Sequence, residues 1–173
     1  ASLRQKTAGQ LDALADHADI DAVLLTCSTL GPAVADCRSG KVWRADGMLA
    51  RKVAAALQSD PGSHIALLCA APTTYEATRN LFMGELQQGN ADQRMQLQCV
   101  EGAWALFRSG DVAGYVACMA EAAVQAHAAG ATQVALTQVS MEGVARHWKP
   151  DASMPVPWTV AGSALQALME IRD

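Results

Sequence analysis

Ala22-Val23-Leu24-Leu25-Thr26-Cys27-Ser28-Thr29-Leu30-Gly31-Pro32 joins an apolar run to a cysteine, two hydroxyl side chains and a Gly-Pro step. A short apolar run bounded by turn residues reads as a buried parallel strand. Ser28 or Thr29 can cap the helix that follows, and Gly31-Pro32 suits its tight start. A thiol placed there sits at the carboxyl end of a strand, where open α/β sheets bind their ligands. It also faces backbone N–H groups and the positive end of a helix dipole, which favour a thiolate and attract an anion. The same residues also read as a buried, inert cysteine, because free Cys is among the most buried residue types.

The rest of the chain alternates in the same way. An amphipathic helix is predicted over 2–18, with Leu3, Thr7, Leu11 and Leu14 along one side. Strands are predicted over 22–26, 41–44, 64–70, 95–100 and 133–137. Helices are predicted over 32–37, 47–58, 74–87, 112–128, 141–148 and 161–171, with a loop at 89–92 and an extended, proline-rich linker over 149–157. Such alternation predicts right-handed βαβ units and a mostly parallel sheet. The Asp60-Pro61-Gly62 turn and the linker divide the chain into an outer lobe, 1–61 plus 151–173, and an inserted lobe, 62–150. The expected fold class is therefore α/β, as two small lobes with mostly parallel sheets and a ligand cleft between them. Cys27-Ser28-Thr29 and Thr137-Gln138-Val139-Ser140 would face that cleft. An α/β domain usually opens with a strand, so either a leading strand is missing or the first helix is a true start.

The formal net charge is -4 and no Lys/Arg cluster exists, which argues against nucleic acid as a partner. The longest apolar stretches, such as 65–71, fall far short of the ~20 residues a membrane span needs. No basic-then-apolar segment opens the chain, so a cytoplasmic protein is expected. The five cysteines, an odd number, include no CxxC and no Cys/His spacing suited to zinc, so they read as reduced thiols, most of them packing residues. There is no GxGxxG, P-loop or HExxH, and no cofactor or metal is expected.

Leu25-Thr26-Cys27-Ser28 is echoed by Leu136-Thr137-Gln138-Val139. With that echo the chain resembles the aspartate/glutamate/hydantoin racemase superfamily, whose members have two similar α/β lobes with a strand-end cysteine in each, facing one another across the substrate. Residues 21–29 are similar to the family's strand followed by Cys-Asn-Thr or Cys-Ser-Thr. The strand before Pro72-Thr73-Thr74 is similar to its lobe switch, and Pro155-Val156-Pro157 with the closing helix resembles its C-terminal end. The resemblance spans most of the chain, although only the first motif is specific. Two departures stand out: the family's opening strand and loop have no counterpart, and Gln138 stands where the second cysteine belongs, with Ser140 two residues on. The resemblance implies cofactor-free proton transfer on a small carboxylate, with Cys27 as the catalytic thiol. It implies Ser28, Thr29, Thr73, Thr74, Gln138 and Ser140 around that ligand and, as in many members, a homodimer.

Racemisation next to a carboxylate needs a base on one face and an acid on the other. Gln138 has no accessible proton equilibrium and can only hydrogen-bond. The Ser140 hydroxyl would need an activating base, and His147 is the nearest candidate in sequence. A single thiol suits one-sided chemistry instead. After loss of CO2 from a substituted malonate, an enediolate needs one proton from one face. Cys27 could deliver it while the hydroxyls of Ser28, Thr29, Thr73 and Thr74 hold the remaining carboxylate. A decarboxylase branch of the superfamily also keeps one cysteine, in the other lobe. The expected function is thus acid–base chemistry beside a carboxylate, as an isomerase or a decarboxylase. The alternative is a non-catalytic small-carboxylate-binding protein. Trp104 and Phe107 read as core packing or as an apolar wall for a substrate, and Arg44 with Asp46 as a carboxylate anchor or a local salt bridge. Glu142 reads as a site acid or a partner of a helix dipole. His17 and His127 read as surface residues and His64 as structural.

Overall fold

A computed structural model describes residues 2–86, 92–149 and 154–172. Helix α1 (Leu3–Ala15) starts at a capping box, in which the Gln5 N–H donates to Ser2 Oγ at 3.2 Å and the Ser2 N–H to Gln5 Oε1 at 3.0 Å. Its buried face is Thr7, Ala8, Leu11, Asp12 and Ala15, whereas Leu3 and Leu14 are exposed. The stripe expected through Leu3 and Leu14 is thus displaced toward the small residues Ala8 and Ala15. Leu11 and Ala15 pack against Val42. The Asp12 carboxylate fixes the docking by accepting the N–H groups of Arg38 at 2.9 Å and Ser39 at 3.0 Å.

Strand β1 (Val23–Leu25) pairs in parallel with β2 (Val42–Arg44), which runs directly into α2 (Ala45–Ser59). Leu49, Val53 and Leu57 on α2 are fully buried. The second sheet is also parallel, in the order β4-β3-β5-β6, from β3 (Ile65–Cys69), β4 (Met95–Cys99), β5 (Gln133–Leu136) and β6 (Trp158–Thr159). Its faces follow the two-residue period of a strand. Ile65, Leu67 and Ala135 pack on α2, α3 (Tyr75–Glu85) and the last helix, α7 (Val160–Arg172), through Leu49, Val53, Phe82 and Val160. Ala66, Leu68, Val134 and Leu136 meet Tyr115, Met119 and Ala123 of α5 (Val112–Ala128) on the other face. Residues from 1–61, 62–150 and the final helix therefore share one core. No helix among the described residues is long and apolar enough to cross a membrane.

The α/β class and the parallel strands are as expected. Besides short 3-10 turns, two elements add to the expected set: α4 (Ala103–Ser109), which closes at Gly110, and the two-residue β6. Gly110 has φ 81°, a conformation that disfavours side chains other than hydrogen. Both elements are too short to leave a periodic pattern in sequence. The short helix α6 (Glu142–Arg146) is likewise briefer than the expected 141–148. Most of the predicted loop at 89–92 and the centre of the linker lie outside the described residues.

Two outcomes follow from this packing. Leu49→Ala, at a side chain with no exposure, is expected to lower unfolding free energy by about 2–5 kcal/mol in urea titrations. The Asp12 pKa is held below its usual value, first by the Ser39 N–H and then by the Arg38 N–H. A depressed carboxylate pKa contributes stability that is present above the unfolded value of about 3.9 and lost as pH falls through the lower folded value. The gap in melting temperature between wild type and Asp12→Ala should accordingly narrow with acidification below about pH 4. A constant gap from neutral pH downwards would show that the carboxylate charge is not what docks α1.

Candidate functional site

Cys27 lies two residues beyond β1, in the turn that leads to a six-residue 3-10 helix, Gly31–Asp36. It is exposed, as are Thr26 and Thr29, while Ser28 is half-buried. The local geometry corrects one expectation. The helix cap is Leu30, with no side-chain hydrogen bond, so neither Ser28 nor Thr29 caps it. The N–H groups of Leu30 and Gly31 are turned back onto the carbonyls of Cys27 at 3.2 Å and Ser28 at 3.3 Å, and Pro32 has no N–H. Fewer free donors therefore surround the thiol than a long helix start would supply. Gly31 makes room here: a Cβ would run into the Arg44 guanidinium packed over it, which would have to shift. Arg44 in turn binds Asp46 through two bonds, of 3.0 and 2.9 Å, with both side chains largely buried. Arg44 and Asp46 are thus a local salt bridge.

Thr73, Thr74, Gln138 and Ser140 lie at the carboxyl ends of β3 and β5, brought together because the two strands are parallel neighbours. Gln138 Oε1 accepts the N–H groups of Ala70 at 2.7 Å and Ala71 at 3.2 Å. It ties the exit of β5 to the exit of β3, just before Pro72. Among the described residues its Nε2 makes no hydrogen bond. Thr74 is buried and its hydroxyl donates to the Ala71 carbonyl at 2.8 Å, a local turn contact, whereas Thr73 is exposed. Exposed Ser140 shares a 2.9 Å hydrogen bond with the buried Tyr115 hydroxyl. Burial, the largest influence, raises the Tyr115 pKa. No hydrogen bond among the described residues joins the Cys27 turn to Thr73, Thr74, Gln138 or Ser140. The candidate residues therefore form two groups, one at the end of each sheet.

The remaining candidates make no hydrogen bond to either group among the described residues. His147 is exposed at the end of α6 and makes no described contact with Ser140. Trp104 and Phe107 stack on one face of α4 with centroids 5.4 Å apart, and Phe107 lies against Tyr115 at 5.3 Å. Phe107 is 43% exposed, so this aromatic pair is a surface feature and not core. Glu142 occupies the first turn of α6, and its Oε2 is buried with no partner among the described residues. One feature was invisible to sequence reading. Cys69 and Cys99 are register partners across β3 and β4 at the same end of the sheet, although far apart in the chain. Only the register of parallel strands brings them together, and sequence spacing carries no trace of it.

No protein-family model matches the chain, and no curated protein matches it.

Gln138→Ala removes the acceptor of two backbone donors and is expected to cost about 1–3 kcal/mol of unfolding free energy. Ser140→Ala, which removes one partner of Tyr115, is expected to cost about 0.5–1.5 kcal/mol. A Gln138→Ala variant as stable as wild type in urea would exclude the amide as a clamp between β3 and β5.

Proposed function

We propose that this chain is a cofactor-independent acid–base enzyme acting next to the carboxylate of a small organic acid, with Cys27 as its thiol. The observation that carries the reading is position: of the five cysteines, Cys27 alone is exposed, and it stands at the carboxyl end of a parallel strand. Its resemblance to the aspartate/glutamate/hydantoin racemases rests on that same stretch, 21–29, and the reading extends to their two-lobed fold with a ligand cleft. Cys27 acts as the proton carrier, and Ser28 and Thr29 beside it supply hydroxyl donors to a carboxylate. Thr73 and Gln138 Nε2, which is unbonded among the described residues, hold the far end of the ligand. Ser140 completes that side.

Gln138 limits the chemistry. An amide whose oxygen is committed to two backbone donors neither takes nor gives a proton at neutral pH. Proton transfer from both faces by two thiols is therefore unsupported, and delivery from one face, as after a decarboxylation, fits better. The same commitment favours one rival reading, a binding protein that holds a small carboxylate without turning it over.

The two readings separate in one experiment. Iodoacetamide labelling of Cys27 is followed against pH with and without aspartate or phenylmalonate, alongside assays for loss of optical activity and release of CO2. An enzyme requires labelling that is fast below pH 7, slowed by one of the acids, and turnover that falls about 10²–10⁴-fold in Cys27→Ala. Protection without turnover supports the binder. A thiol that titrates near ~8.5 and is protected by neither acid rules out both.

A further inference from the structure

Cys69 and Cys99 end their strands directly opposite one another in the β3–β4 ladder, after the pairs Leu67 with Leu97 and Leu68 with Gln98. Residues paired in register point to the same face, and neighbouring strands lie about 4.8 Å apart. That spacing falls within the roughly 4.4–6.8 Å Cα separation a disulfide accepts. The Cys99 thiol lies beside Cys69, donating to the carbonyl of the next residue, Ala70, at 3.7 Å. Access is unequal, since Cys69 has no exposure while Cys99 is partly open. Cys118, the third thiol at this end, is directed elsewhere, donating to the Glu101 carbonyl at 3.7 Å.

We propose that Cys69 and Cys99 are a modification site, a cross-strand thiol pair that hydrogen peroxide oxidises to a disulfide through Cys99. Cys99 is the entry point because it is the partly exposed member. Its sulfur attacks one oxygen of the peroxide, the O–O bond breaks, and Cys99 becomes a sulfenic acid with release of one water. The Cys69 sulfur then attacks the Cys99 sulfur, the S–O bond breaks, and the hydroxyl leaves as a second water with the Cys69 proton. Two thiols give up two electrons in all, and the peroxide is reduced to two waters. Burial, and next the neighbouring Cys99, push the Cys69 thiol up to about 12, so Cys69 is not itself the first target of an oxidant. It serves as the resolving thiol because it is already in place. The bond would join β3 to β4 immediately before Ala70 and Ala71, whose N–H groups hold Gln138. The inference is independent of any role for Cys27.

The test uses the whole chain, fully reduced and freed of reductant, exposed to hydrogen peroxide and then quenched with iodoacetamide. The expected result is a species lighter by two hydrogens before alkylation. Its peptide map should link residue 69 to residue 99 at least ~10-fold over any other pairing, as contact geometry requires. The link should survive Cys27→Ser and Cys118→Ser and vanish in Cys99→Ser, with circular dichroism showing that each variant folds. Because Cys69 is buried, Cys99→Ser is the decisive variant, and Cys69→Ser adds a trappable Cys99 sulfenic acid if it folds. A native chain that accumulates a dimedone-reactive Cys99 without the link overturns the proposal. A dominant Cys99–Cys118 link, or no loss of thiols at all, overturns it equally.

Discussion

Strand β3 has neighbours on both edges and both faces, and the rest of the fold is arranged to supply them. All five of its residues are buried, so every backbone group must bond to a flanking strand and every side chain to a covering helix. Ile65 and Leu67 are covered by α2, α3 and α7, and Ala66 and Leu68 by α5. This explains why α7, at the far end of the chain, lies on α2, and why the two-residue β6 suffices to extend the sheet on the β5 side. It also explains the placement of Arg94. Its guanidinium donates to the carbonyls of Leu57 at 2.5 Å and Asp60 at 2.9 Å, closing the end of α2 where the chain turns into β3.

A parallel sheet assembled in this way directs all its strand exits to one end. At the exits of β3 and β5 the loose backbone donors of Ala70 and Ala71 are claimed by Gln138. A thiol at that position would be a poorer acceptor for two N–H groups and a far better acid. The chain holds here a residue type that ties the two strand exits together. The exposed thiol lies instead beyond β1, at the end of a smaller two-stranded sheet with thinner cover.

The few buried charges are spent on the scaffold. Asp12 serves two backbone donors, and Asp46 serves Arg44, whose own body closes over Gly31. Burying a carboxylate is costly unless its oxygens are bonded, and both of these are. Each one fixes the β1–β2 layer, Asp12 by docking α1 and Asp46 by steadying the segment after Cys27. The position of the Cys27 turn thus depends on ion and hydrogen-bond contacts made outside it.

Periodicity and turn residues by themselves determined the types of strands β1 to β5 and of the longer helices, because these are written in local patterns, whereas α4 and β6 are too short to be. The strand-end position of Cys27 was legible for the same reason: an apolar run, a cysteine and a Gly-Pro step lie within eleven residues. What local pattern cannot carry is the partner of each group. The face that α1 buries was decided by the packing of Leu11 and Ala15 against Val42 and by the Asp12 contacts, not by the larger Leu3 and Leu14. The task of Gln138 was set by the neighbouring ends of β3 and β5, and the meeting of Cys69 with Cys99 by the register of β3 on β4. Hydrogen bonds and thiol contacts act over a few ångströms in space regardless of chain separation, so only the tertiary structure could assign them.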